Sequence, residues 1–244
     1  MTGLTLSHQQ TLDMIEYPQV YQASFSGSTQ AGGPLAKAAT QRHFCFDVNP
    51  HDIGCIAYLS KGVELEPCIE SIIHGAVFNA GQSRNRIKRV LIHEKHYSES
   101  VERIKQLMSQ QKLDDPLDES TDIGPMAYPK LIEEFFEQLR EFERQGALIT
   151  SQCDSESLQQ RGFIPPTLIE DPECKLKVKE AIGFAPVLLA RPVSSDDEAI
   201  EQMNSKAYHH TASLWSKDPQ HIESLSPRLL SRKVYANEVP LWGR

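Results

Sequence analysis

The sequence predicts an α/β fold with helices packed on a sheet, and three observations carry that reading. Compact apolar runs of strand length occur at 53–59 and 87–93, the second centred on Val90-Leu91-Ile92. Between them, Ile69, Ile72, Ile73, Ala76 and Val77 share one face of a helix over 66–80. Further on, Leu131, Phe135, Leu139 and Phe142 recur at helical spacing over 131–145. Strands that alternate with amphipathic helices bury their apolar faces best as layers.

The elements follow in order. A helix end over 12–20 closes in a turn at Pro18, and Tyr21 to Phe25 alternates like a short strand that stops at Ser26-Gly27-Ser28-Thr29. Leu35 to Thr40 is a short helical run. Beyond the strand at 87–93, residues 98–111 read as an amphipathic helix with Ser98 as its N-cap, a hydroxyl that would accept a free first-turn N–H. Asp, Pro and Gly make 114–129 a loop, and Gly146 stops the helix 131–145. Ala147 to Thr150 follows as a strand and the polar stretch 153–161 as a surface loop. Strands are expected at 187–190, 212–216 and 233–237. Ser195-x-x-Glu198 is a capping box that opens a helix over 196–206. The chain holds no internal repeat and no low-complexity linker.

Composition narrows the class. With 244 residues the chain can bury a sizeable core, and 39% hydrophobic with 24% charged residues is ordinary for a soluble globular protein. A formal net charge of −8 argues against a nucleic-acid or anionic-membrane surface, despite the local basic cluster Arg84-Asn85-Arg86-Ile87-Lys88-Arg89. No apolar run reaches the ~20 residues of a membrane helix. Residues 1–10 are polar and lack the apolar core of a signal peptide. Five cysteines without short paired spacings fit a reducing compartment. The expectation is a cytoplasmic protein with no nucleic-acid and no membrane partner.

Chemistry-bearing clusters are few. Cys45, Cys55 and Cys68 crowd together with His43, His51 and His74, but a zinc site needs short ligand pairs such as Cys-x-x-Cys, so these cysteines read as small buried hydrophobes and no metal is expected. His51-Asp52 reads as a turn after Asn49-Pro50, and His209-His210 as a solvated pair. Phe135, Phe136 and Phe142 belong to a core or interface face, and Trp215 to a core-facing strand.

Several motifs then fall in one order along almost the whole chain. Phe25-Ser26-Gly27-Ser28-Thr29 resembles a Phe-Thr-Gly-Ser-Thr turn, and Phe78-Asn79-Ala80-Gly81-Gln82-Ser83-Arg84 resembles Phe-x-Asn-x-Gly-Gln-x-Cys. Thr121-Asp122-Ile123-Gly124-Pro125-Met126, Gly162 to Leu168, and Asn204 to Asp218 continue the series. Together they resemble the aldehyde dehydrogenase superfamily. The resemblance implies a three-layer aldehyde-dehydrogenase-like catalytic domain over 49–244, C-terminally truncated, and a remnant of the Rossmann-like cofactor-binding domain over 1–48. It implies NAD(P) as the family cofactor, with Ser28 and Phe184 as vestigial contacts.

The departures from the family pattern fall on its chemistry. Arg84 stands at the nucleophile position, and a permanently charged guanidinium cannot form the covalent adduct that a thiolate forms. Counting from the flanking motifs puts Pro50 at the general-base position, where no proton can be taken. In Ile182-Gly183-Phe184-Ala185-Pro186 the ribose-binding glutamate is replaced by Ile182. The family's Pro-Trp-Asn-Phe-Pro segment and adenosine-ribose lysine have no counterpart before Phe25, and Pro240 to Arg244 resembles only the beginning of Pro-Phe-Gly-Gly. The expectation is a pseudoenzyme or interaction module with no catalytic residue and no bound cofactor, partnered by itself or by an intact aldehyde dehydrogenase. The alternative is an NAD(P)-dependent oxidoreductase that oxidises an aldehyde to a carboxylic acid.

Overall fold

In a computed structural model of the chain, residues 3–42, 44–50, 54–151, 155–176, 183–205 and 209–240 are described. Two compact units divide it, Met1–Asp52 and Ile53–Arg244.

The first unit runs α1 (His8–Glu16), β1 (Gln22–Gly27), α2 (Thr29–Arg42) and β2 (Cys45–Pro50). Ser7 opens α1 with a reciprocal cap, its hydroxyl accepting from the Gln10 amide while the Gln10 side chain accepts from the Ser7 amide. β1 and β2 are parallel, so β1, α2 and β2 form one βαβ unit. Gly32 lets α2 approach both strands, because a Cβ there would lie 3.1 Å from Phe25 and 3.2 Å from Val48. Arg42, in the last turn of α2, donates to the Ile15 carbonyl and, at 2.8 Å, to the Tyr17 carbonyl, pinning the end of α1. β2 is absent from the sequence-based expectation. Asp47, Asn49 and Pro50 are poor strand formers, and pairing with β1 overrides their local preference.

The second unit contains β3 (Cys55–Leu59), α3 (Leu65–Val77), β4 (Ile87–His93), α4 (Glu94–Ser109), α5 (Pro129–Arg144), β5 (Leu148–Ser151), α6 (Ser155–Gln160), β6 (Thr167–Glu170), β7 (Val187–Val193), α7 (Asp196–Asn204), β8 (His209–Trp215), α8 (Pro219–Leu225) and β9 (Ser231–Ala236). Its sheet has the order β5-β6-β7-β4-β3-β8-β9, parallel except for the edge strand β5. Ala57, Leu59, Val90 and Ile92 face α3, α4 and α5, which contribute Ile69, Ile72, Val101, Ile104 and Phe135 to the larger core. Ile56, Tyr58, Leu91 and Leu214 face α7 and α8 through Ala199, Ile200, Ile222 and Leu225. The unit is the expected three-layer α/β arrangement. Each of the buried Leu, Ile and Val side chains among these contributes roughly 1.5–3 kcal/mol.

Three local expectations need correction. Ser98 is not an N-cap: α4 begins at Glu94, and the His93 ring caps it by accepting from the Lys95 amide at 3.2 Å. Ser98 instead lies inside α4, in its second turn. The stretch around 153–161 is not all loop, since 155–160 forms α6. Ser195 does cap α7 by accepting from the Glu198 amide, but Glu198 returns its bond to Ser194 instead of Ser195.

Candidate functional site

The segment 78–86 is the centre of interest. After α3 the chain makes a 3-10 turn over Phe78–Gly81 in which Asn79, Ala80 and Gly81 have φ of 53°, 54° and 67°. Three consecutive left-handed residues reverse the chain sharply, and side chains there carry strain that packing must offset. Only glycine fits at position 81, because a Cβ would sit 1.9 Å from the Ala185 carbonyl oxygen. The turn is thus pressed onto residues 185–186. Gln82 fixes its exit by accepting from the Ala127 amide at 2.8 Å and donating to the Asn79 carbonyl at 3.1 Å.

Arg86 anchors the far end of the segment. Its side chain is buried, donates to the Ser83 carbonyl at 2.9 Å and to the Gly183 carbonyl at 3.0 Å, and lies 4.3 Å from the centroid of the Phe184 ring. Between these anchors stands Arg84, half-buried. Its Nε is buried without an acceptor, and it forms no ion pair with any of the described residues. A guanidinium held this way can bind an anion or a polar oxygen. It can neither attack a carbonyl nor take up a proton.

The other expected site residues are scattered. Ser28 is exposed and caps α2, its hydroxyl accepting from the Ala31 amide at 3.2 Å. Pro50 ends β2 opposite Gly27. Phe184 has one ring face occupied by Arg86. His51, Asp52, Ile182 and Trp242 lie outside the described residues. The Ser28 hydroxyl is thus engaged as a helix cap within a βαβ motif, and one face of the Phe184 ring is engaged by Arg86.

No cysteine of the second unit is poised to replace a nucleophile among the described residues. Burial pushes the Cys55 thiol up to about 12 and the Cys68 thiol up to about 11, so both are protonated at neutral pH. Burial raises Cys174 as well. Among the described residues no group of three or more His, Cys, Asp and Glu side chains could hold a metal.

Sequence reasoning missed a polar network at the carboxyl ends of β3 and β8. Tyr58 donates to Asp196 at 2.7 Å, His221 Nε2 lies 2.8 Å from the other Asp196 oxygen, and His221 Nδ1 is 3.2 Å from Ser216 Oγ. These residues span 163 positions from Tyr58 to His221. Only the acidic start of α7 hinted at them, and four strands had to be ordered before they could meet.

The whole chain is similar to known proteins. Residues 6–242 match the aldehyde dehydrogenase family. Peroxisomal aminoaldehyde dehydrogenase 1 from Malus domestica is 27% identical over 238 residues, covering 97% of this chain and 47% of that protein. Retinaldehyde dehydrogenase 3 from Homo sapiens is 27% identical over 228 residues, covering 91% and 43%. The chain therefore spans about half the length of the curated relatives it matches. The crystal structure of betaine aldehyde dehydrogenase from Staphylococcus aureus in complex with NAD+ superposes with a TM-score of 0.88 at 19% identity, over 97% of this chain and 47% of that one. NADP-dependent glyceraldehyde-3-phosphate dehydrogenase from Bacillus halodurans gives 0.84 at 23% identity, over 96% and 47%. With the fold of its sheet and the order of its motifs, this chain belongs to the aldehyde dehydrogenase family.

Proposed function

We propose that this domain does not oxidise aldehydes and serves in assembly, either as a homo-oligomer or beside an intact aldehyde dehydrogenase. The observation that carries the reading is Arg84. It occupies the position of the family thiol on a loop that is otherwise carefully built, with Gly81 seated on Ala185 and Arg86 seated under Phe184. Pro50 at the base position supports the same reading, since it has no group to accept a proton. In this view residues 1–48 belong to the cofactor-binding domain and 49–244 form the catalytic-domain scaffold. Assembly is supported by the open sheet edge at β5, where Leu148 is exposed.

Two measurements on the purified chain test this. NADH and NADPH formation is followed with a panel of aliphatic and aromatic aldehydes, and the mass is followed by light scattering with and without NAD. The expected outcome is no turnover and a defined oligomer whose mass NAD does not change. Turnover abolished by replacing one of the cysteines would overturn the non-catalytic reading. A monomer alone and in the presence of an intact family member would overturn the assembly role.

A further inference from the structure

Three histidines gather at the carboxyl ends of the parallel strands in the second unit. His93 closes β4, His96 lies in the first turn of α4, and His221 lies on α8 beyond β8. Their partners fix different roles for the ring nitrogens. His96 Nε2 is 2.9 Å from the Lys61 carbonyl, an acceptor, so that nitrogen carries a hydrogen. His221 Nε2 is 2.8 Å from an Asp196 oxygen, and its Nδ1 is 3.2 Å from Ser216 Oγ, which can donate or accept. Both sets of contacts survive a second ring proton, and the one to Asp196 becomes charge-assisted on both sides.

His93 is the exception. Its Nδ1 accepts from the Lys95 amide at 3.2 Å, and a backbone N–H can only donate. The bond exists only while the ring is neutral, with its hydrogen on Nε2 and a lone pair on Nδ1. A second proton abolishes the acceptor and turns an Nδ1–H against the Lys95 N–H. It also places a positive charge at the start of a 16-residue helix, where the macrodipole disfavours it. His93 is only 8% exposed, so water does little to offset either effect.

The surrounding charges do not cancel this. Burial, then Lys61 beyond β3 and His96 of α4, disfavour the charged ring, while Glu94 of α4 and Asp196 of α7 favour it. Asp196 is itself engaged by Tyr58 of β3 and His221 of α8. The net effect holds the ring below its ordinary 6.5. For a base lowered in this way, the stabilisation is complete above pH 6.5 and is lost as pH falls through the folded value.

We propose that His93 is a proton-released cap: in mild acid its ring takes up a second proton and frees the first turn of α4, while His96 and His221 keep their partners. The freed turn carries Tyr97, whose hydroxyl donates to the Ala190 carbonyl of β7 at 3.4 Å, so release also loosens a tie to the sheet. The device acts while carboxylates of ordinary strength are still ionised, ahead of general acid unfolding.

The test compares the whole native chain with His93→Asn, whose side-chain oxygen can accept the same amide but does not titrate between pH 7.5 and pH 5. Amide exchange, corrected for the intrinsic effect of pH, is followed by NMR along α4. In the native chain the Lys95 amide should lose about tenfold in protection over that interval, an ordinary N-cap read as an equilibrium constant. Amides from Val101 to Leu107 should change little, and Lys95 in His93→Asn should stay constant. Equal losses in the two proteins, a loss spread evenly along α4, or constant protection at Lys95 in the native chain each overturn the proposal. If His93→Asn fails to fold, the ring nitrogen resonances of native His93 decide. Nδ1 should be unprotonated at pH 7.5 and gain its proton together with the loss of protection at Lys95. A hydrogen on Nδ1 at pH 7.5, or a ring that stays neutral while Lys95 loses protection, overturns the proposal as well.

Discussion

Arg86 lies beneath the ring of Phe184, its guanidinium carbon 4.3 Å from the ring centroid, while its nitrogens bond the carbonyls of Ser83 and Gly183. One buried cation thereby ties the segment leading into β4 to the segment leading into β7. This contact sets the position of Arg84, two residues earlier, and covers a ring that the family resemblance assigned to a cofactor.

The Arg86–Phe184 pair should be energetically coupled. Arg86→Met is expected to cost about 3 kcal/mol through carbonyls left without donors. In a double-mutant cycle with Phe184→Leu the coupling should be about 1 kcal/mol, the range of a partly desolvated cation–π contact. Urea unfolding of the four proteins measures it, and additivity within error would show that the stacking is incidental.

Gly81→Ala should be among the most damaging single changes in the second unit. The added methyl would meet the Ala185 carbonyl at 1.9 Å, and a φ of 67° is unfavourable for alanine besides. The backbone of one segment must move, at an expected cost of about 3 kcal/mol or more. A Tm within a degree or two of the native protein would mean that the turn is free to relax away from Ala185.

Arg84→Cys should fold as well as the native chain and remain inactive. Arg84 has a buried Nε without an acceptor and no ion pair among the described residues, so removing it breaks no hydrogen bond or ion pair among them. Stability should change by no more than about 0.5 kcal/mol, or rise slightly. The thiol would still lack a base, and groups that act as a unit do not recover singly. Aldehyde-dependent NADH formation by this variant would show that base and cofactor contacts are supplied by residues other than those identified.

The second unit was legible in the sequence where periodicity and burial agree. Val90-Leu91-Ile92 and the Ile69–Ile72–Ile73 face sit in the core as expected, and Trp215 packs there too. Boundaries failed where a cap outside the usual N-cap residues decides, as at Ser98, where α4 starts four residues earlier on the His93 ring. The left-handed run at Asn79 and Ala80 carried no local signal, since neither neighbour pattern requires φ above zero. Tyr58, Asp196 and His221 meet only through the order of the strands, and no motif connects them.

That network predicts a specific acid sensitivity. Burial works to raise the Asp196 carboxyl, but hydrogen bonds from Tyr58 and His221 and the nearby His221 and His93 charges outweigh it and hold the group below its ordinary 3.8. A carboxyl depressed in the folded state stabilises the fold above its unfolded pKa, and the stabilisation is lost as pH falls through the folded value. Asp196→Asn keeps the shape and removes the charge, including its favourable place at the start of α7. With the side chain 38% exposed, solvent screening trims the expected loss at pH 7 to about 1 kcal/mol. As pH falls below 3.8 and through the lower folded value, the native carboxyl takes up its proton and the two proteins should converge in stability. Urea unfolding at pH 7 and pH 3 measures both gaps. A difference that persists undiminished at pH 3 would assign the effect to packing of the amide instead of to the charge on Asp196.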